Sequence, residues 1–209
     1  MDFNFLTRDD VTFTEDRGIV INHSDVSLKG YKGVTRVLNA GEPTFLEKLT
    51  AQHGAKKAAE ICAKSSQRGK RLHTKLETNH EEMLTPTILT GLGQLVAVEV
   101  LTYGKLFGLN MVGFIDAIFM NNGILTLVDY KTKNKPYYAQ SFEKYWLQLT
   151  GYVMLMANQY GIDPKTTKLA TILIYGDGSE PCYKTLQCPK AKRRYAMQLK
   201  KKALILSNT

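Results

Sequence analysis

The sequence predicts an α/β layered domain, a mixed sheet covered by helices on both faces. The order of elements points to it first: helices, three strands, a long helix, further strands and a last helix. A tight hairpin near the middle of the chain points the same way. It carries Phe114, Ile118, Leu125 and Leu127 on one face and Ile115, Phe119, Ile124 and Val128 on the other, so both faces are expected to be buried. Third, Phe142, Tyr145, Trp146, Leu149, Val153 and Met156 recur at spacings of three and four, the stripe of a helix lying against that sheet.

The elements follow in order. Val11–Phe13 and Ile19–Ile21 are short strands separated by turn residues at Glu15–Gly18. Tyr31–Leu38 mixes bases, hydroxyls and apolar residues; it reads either as a contact for a phosphate backbone or as a solvated loop leading into a short helix. Pro43 suits the first turn of a helix bearing Phe45, Leu46 and Leu49. Ala55–Ser65 is helical, and the helix resumes over Arg68–Glu77 after an expected break at Gly69. His73 and Glu77, four apart, share a face, the spacing of a ligand pair but also of an ordinary surface pair. Residues 80–93 read as helix and Leu95–Leu101 as a strand whose one charge is Glu99. That carboxylate needs a partner or a metal if buried, and neither if it points to water from an edge. After the hairpin come a loop at Lys133–Pro136, a helix over Ala139–Tyr160, strands at Lys168–Tyr175 and Tyr183–Leu186, and a basic helix at Lys190–Leu206. The bases of that last helix are expected to be a solvated face. Residues 1–40 are expected to form a strand-and-turn arm packed on a single domain spanning 41–209.

Composition limits the function classes. With 209 residues, 44% of them hydrophobic and 22% charged, the chain is ordinary globular material. No run approaches the ~18 apolar residues of a membrane span. The N-terminus lacks a basic start and an apolar segment, so a cytoplasmic location is expected, the host cytoplasm if the source is viral. A net charge of +9 suits a polyanionic partner without specifying one. Cys62, Cys182 and Cys188 are too few for the four thiolates of an ordinary iron–sulfur site, and their odd number argues against a disulfide framework.

The chemistry concentrates in the hairpin. Asn122-Gly123 is the favoured pair for a two-residue loop, because both positions accept positive φ. Asn121 then pairs with Ile124, and counting back along both strands sets Asp116 opposite Asp129. Such partners stand ~5 Å apart at Cβ. Lys131 lies two residues past Asp129 and shares its face. Two carboxylates pressed together in an apolar place need a proton or a cation between them, and a hard divalent ion with oxygen ligands meets that need. The plainer alternative is a core strand pair whose acids are satisfied by the lysine.

Gly-x-Ile-Asp at 113–116, Asp-Tyr-Lys at 129–131, Gln-x-x-x-Tyr at 148–152 and the preceding His-x-x-x-Glu at 73–77 resemble the PD-(D/E)XK nuclease superfamily, in its RecB-like exonuclease branch. Within that branch the chain is similar to the mitochondrial genome maintenance exonuclease and its bacteriophage relatives. The segment Tyr31–Leu38, the Arg-Gly-x-x-x-His start of the active-site helix and the strand-borne glutamate carry that likeness. One departure is Ile115, where the family often has proline.

The resemblance implies a restriction-endonuclease-like core and a metal-dependent DNA exonuclease using one or two Mg²⁺ or Mn²⁺ ions and no iron–sulfur cluster. Asp116, Asp129, the Tyr130 carbonyl, His73 and Glu99 would bind metal, with Glu77 behind them. Lys131 would position the attacking water, and Gln148 and Tyr152 would brace it or the phosphate. Thr35, Arg36, Arg68, Lys70, Arg71, Thr132, Lys133 and Lys135 would hold DNA. The expected partner is single-stranded or free-ended DNA, with replication or recombination proteins beside it. Three rivals stay open: a structure-specific or site-specific endonuclease with the same site, a non-catalytic DNA-binding or assembly protein on a nuclease fold, and a protein whose basic charge serves RNA.

Overall fold

The structure, a computed structural model, describes residues 4–15, 18–22, 24–133, 142–175 and 181–208. Its centre is a six-stranded mixed sheet. Strands β4 (Gln94–Leu106) and β5 (Leu109–Asn121) form a long antiparallel pair. The free edge of β5 is shared: β3 (Lys32–Gly33) runs parallel to it at Met111 and Val112, and β6 (Ile124–Lys133) antiparallel from Ala117 to Asn121. Strand β7 (Lys168–Tyr175) then pairs parallel with β6, and β8 (Cys182–Leu186) antiparallel with β7. Strands β1 (Val11–Phe13) and β2 (Ile19–Ile21) make a separate ribbon.

Alternation along β6 and β7 distributes the core onto two faces. Leu125, Leu127, Leu169 and Leu173 join the cluster formed with α1 (Val34–Leu38), α5 (Phe142–Tyr160) and α6 (Pro189–Ser207). Val128, Tyr130, Ala170 and Ile172 join the cluster formed with Leu76 of α3 (Ala55–Met83) and Ile88 and Leu92 of α4 (Pro86–Leu92). Leu76 is 1% exposed. Burial of a leucine is worth ~1.5–3 kcal/mol, and here it anchors the helix one turn from His73. The mixed sheet covered on both faces is the expected fold class. Among the described residues no helix is long and apolar enough to cross a membrane.

Several boundaries differ from the sequence expectation, each for a physical reason. Helix α3 runs through Gly69 without a break and deviates instead at Asn79 (φ −138°, ψ 45°). One glycine costs only ~1 kcal/mol against alanine, and the lysines, arginines and leucines around it carry the helix on. Residues 80–93 are two elements, because Pro86 starts a new helix whose N-cap, Thr85, accepts from the Ile88 amide. Helix α2 (Phe45–His53) is closed by a capping box between Thr44 and Glu47. The expected start of α5 at Ala139 lies outside the described residues.

Helix α6 is not a uniformly solvated basic face. Lys192 is buried, and its ammonium donates to the carbonyls of Pro164 at 2.9 Å, Lys165 at 3.4 Å and Thr167. It closes the turn that leads into β7. Lys192→Met should cost about 2–4 kcal/mol, since it strands several carbonyls without partners. Urea unfolding measures this directly, and an unchanged midpoint would mean those carbonyls find other donors.

Candidate active site

The β5–β6 ladder holds the predicted register, Asn121 with Ile124 through Ala117 with Val128. Asn122 and Gly123 take the positive φ values, 50° and 76°, that the turn requires. Past Ala117–Val128 the strands part. Strand β6 stays on β7 as far as Lys133, while β5 turns to β3. Asp116 and Asp129 stand at the mouth of this fork. Asp116 Oδ2 accepts the Tyr130 amide at 2.7 Å, satisfying a backbone donor that the parting strands leave behind.

Asp129 is 1% exposed. Its Oδ1 receives two donors, Lys131 Nζ at 2.5 Å and Gln148 Nε2 at 3.1 Å. Gln148 Nε2 also lies 3.0 Å from the hydroxyl of buried Tyr152, so one turn of α5 braces the carboxylate. The Tyr152 ring in turn needs Gly113: a Cβ there would lie 2.5 Å from Tyr152 Cε1. Asp129 Oδ2, by contrast, is buried and has no hydrogen-bond partner among the described residues. A buried, unsatisfied carboxylate oxygen is costly, and a cation is the natural remedy.

The opposite wall comes from α3 and β4. Glu99 has φ 46°, a conformation L-residues seldom adopt, and the pair Glu99–Asp116 is missing from the β4–β5 ladder, which also bulges at Val96. The strands change facing at this crimp. Val98 packs with the α3–α4 cluster but Val100 with the α5 cluster; likewise Ala117 and Ile115. In a regular strand such neighbours share a face. For this reason Ile115 lies on the α5 side and Phe114 against the β1–β2 ribbon, the reverse of the simple alternation expected from sequence. Ile124, expected in the core, is 37% exposed at the hairpin tip. The crimp turns Glu99 toward α3, where ligand atoms of His73, Glu77 and Glu99 lie within 4.8 Å of one another. His73 Nδ1 is 3.7 Å from Asp116 Oδ1, which joins this trio to the fork.

Electrostatics agree with a site awaiting positive charge. Burial, and then Asp129, push the Asp116 pKa well above the usual carboxylate value. Burial and Glu99 raise Glu77. Burial lowers His73, with Lys131 adding to the effect, so the imidazole is neutral and its lone pair is free to coordinate. A backbone interaction with Tyr130 opposes that lowering and places the Tyr130 peptide beside the ring. For Lys131, burial works to lower the pKa, but Asp129 and Asp116 outweigh it and the amine stays protonated. Acidic oxygens, a neutral imidazole and an orphaned carboxylate oxygen fit a hard divalent cation.

The expected DNA contacts divide. Lys70 lines the cavity of about 530 Å³ that holds His73, Glu77 and Glu99. Arg68 and Arg71 do not; with Lys64 and Lys75 they line a separate groove of about 550 Å³. That stripe recurs every three to four residues on the side of α3 turned away from His73. Thr35 and Arg36 are exposed at the start of α1, where the edge of β5 passes from β3 to β6. Thr132 and Lys133 continue β6 beyond the fork, and Lys133 Nζ lies 5.8 Å from the centroid of the Tyr145 ring, which also has Lys131 Nζ at 5.5 Å. Lys135 lies outside the described residues. Sequence reasoning passed over Arg8, whose Nη1 is 3.1 Å from Glu99 Oε2 across 91 residues of chain. Nothing in the local sequence of Arg8 signals that contact.

A family model described as the PD-(D/E)XK nuclease superfamily matches residues 40–204. No curated protein matches the chain. Among solved structures, "Crystal structure of SSO0001" is similar at TM-score 0.53 and 19% identity, over 87% of this chain and 78% of that one. A structure named "Putative exonuclease" from Eubacterium rectale is similar at TM-score 0.48 and 13% identity, over 84% of this chain and 80% of that one. At 19% identity the first likeness shows the fold.

Proposed function

This chain belongs to the PD-(D/E)XK nuclease superfamily, and from that premise we propose that it is a divalent-metal-dependent DNA exonuclease working on single-stranded or flapped ends in phage-type replication, recombination or DNA degradation. The observation that carries the reading is the fork: Asp116 and Asp129 converge there, one Asp129 oxygen is held by Lys131 and Gln148, and the other is buried with no partner among the described residues. On this reading residues 1–40 are an arm on a nuclease domain of 41–209.

Asp116, Asp129 and the Tyr130 carbonyl would hold a Mg²⁺ or Mn²⁺ ion, with His73, Glu99 and Glu77 on the α3 side completing its shell or holding a second. Bound there, the ion lowers the pKa of a water and offsets charge on the phosphate. The protein supplies the rest. Lys131, protonated and fixed by Asp129, directs a donor at the charge that grows on the phosphoryl oxygens. Gln148 and Tyr152 keep Asp129 in one orientation, so the lysine is placed before substrate arrives. Lys70 and Lys133 flank the acids and hold the strand by its phosphates.

The decisive assay is digestion of end-labelled linear single- and double-stranded DNA with Mg²⁺ or Mn²⁺, each end blocked in turn, beside a circular single strand. Linear strands should shorten from an end, the circle should survive, and chelator should stop the reaction. Cutting of the circle would make the protein an endonuclease, and no cutting of any substrate would leave a DNA-binding protein.

His73 gives a further test. His73→Ala should raise the metal concentration needed for half-maximal rate by about 10-fold or more, the scale of losing one ligand or its support. A wild-type rate at every metal concentration would remove His73 from the site.

A further inference from the structure

We propose that Arg8, brought in by the N-terminal segment, is a substrate-phosphate contact of this active site. The inference rests on the nuclease reading for the identity of the ligand, a nucleic-acid phosphate, and on separate geometry for the residue. Arg8 lies outside the region matched by the family model. It lines the cavity between α3 and β4 together with Lys70, His73, Thr74 and Glu77 of the helix and Glu99 of the strand. The lining therefore combines two acids and an imidazole with two cations, Lys70 and Arg8. That is the charge layout a phosphate and its counter-cation require together.

The segment is built to hold the guanidinium there. Thr7 bridges to Val100, the Leu101 amide donates to the Leu6 carbonyl at 2.8 Å, and the Leu6 amide donates to the Tyr160 hydroxyl at 3.1 Å. The 3-10 turn at Arg8–Asp10 is closed by the Thr7 amide on Asp10 Oδ2 at 2.7 Å. The guanidinium carbon lies 5.1 Å from the Phe13 ring centroid and 5.6 Å from that of Phe114, which restricts its plane. In its ion pair with Glu99, whose side chain is 14% exposed, the Arg8 side chain stays 59% exposed, so the guanidinium remains open to a ligand. A guanidinium has five donors in a planar fork, and Glu99 engages one edge of it. The remaining donors suit the paired oxygens of a phosphate. Asp9 also borders this region, so the local field is mixed, and the contact depends on the fixed geometry of the fork more than on bulk attraction.

The test is affinity of the full chain for a short single-stranded thymidine oligonucleotide in Ca²⁺, the oligonucleotide being recovered uncut. Arg8→Ala should weaken binding about 10–50-fold, with a salt slope lower by about one. Arg8→Lys should restore only part of it, because an ammonium cannot reproduce the fork. The same loss should persist in a Glu99→Gln background. Unchanged affinity and slope, or a loss that vanishes once Glu99 is neutral, would overturn the proposal and leave Arg8 as a balance for Glu99. The two readings fail separately. A parent that cuts nothing with Mg²⁺ or Mn²⁺, yet binds in an Arg8-dependent way, loses the nuclease reading alone. A parent that cuts while Arg8→Ala binds as before loses this one alone.

Discussion

Asp116→Asn and Asp129→Asn should each reduce single-turnover DNA cleavage by at least about a thousandfold, while only Asp129→Asn loses stability. The loss follows from the charge. A divalent ion at the fork needs both carboxylates, and its contribution to the transition state is several kcal/mol, at ~1.36 kcal/mol per tenfold in rate. The stabilities separate this account from a structural one. Asp116 has its folded-state pKa raised above the ordinary value of 3.8 by burial and by Asp129. For a carboxyl so shifted, stability is full below the unfolded pKa and is lost as pH rises from there toward the folded value. At neutral pH the metal-free fold carries that cost. Asp116→Asn removes it and should keep or raise the melting temperature, since an amide oxygen can still accept from Tyr130. Asp129→Asn takes the counter-charge from half-buried Lys131 and should cost about 1–3 kcal/mol. Metal binding should also release protons and strengthen as pH rises, because the ion displaces the proton that Asp116 otherwise takes. Calorimetry in buffers of different ionisation enthalpy reads that release. If both variants melted lower and the parent took up metal without releasing protons, the acids would be an ordinary ion-pair network.

Lys131→Ala should lower kcat about 100- to 1000-fold with little change in KM, the signature of an interaction made in the transition state. The amine is protonated, its position is set by Asp129 Oδ1, and Gln148 keeps that oxygen from turning. Lys131→Arg should not rescue the rate, since a planar fork cannot occupy a point-donor position so close to the carboxylate. Were Lys131 there only to neutralise two acids, Arg would restore most of the function and Ala would show chiefly as lost stability. Steady-state kinetics and thermal melts of the two variants decide between these outcomes.

The sequence made the middle of the site legible because its determinants are local. Asn122-Gly123 dictates the turn, the turn dictates the register as far as Ala117–Val128, and Asp116 and Asp129 follow one residue beyond, where the expected direct pairing gives way to the fork. Strand β7 was equally plain, since Lys168–Tyr175 is a short, largely apolar run, and it is buried between its ends. What was hidden depends on distant contacts. The positive φ of Glu99 and the crimp opposite Asp116 are imposed by tertiary structure, and they swap the faces of Phe114 and Ile115. The burial of Lys192 depends on carbonyls at Pro164, Lys165 and Thr167 that only the fold brings to α6. Arg68 and Arg71 sit beside Lys70 in sequence but on the other side of α3, which motif matching does not resolve and helical phase does.

If the parting of β5 from β6 creates a divalent-cation site, crystals soaked in Mn²⁺ should reveal it by anomalous diffraction. A peak is expected within coordination distance of Asp116 and of Asp129 Oδ2, with the Lys131 amine alongside. Crystals that bind Mn²⁺ elsewhere, or nowhere, and leave that oxygen without a partner would contradict it.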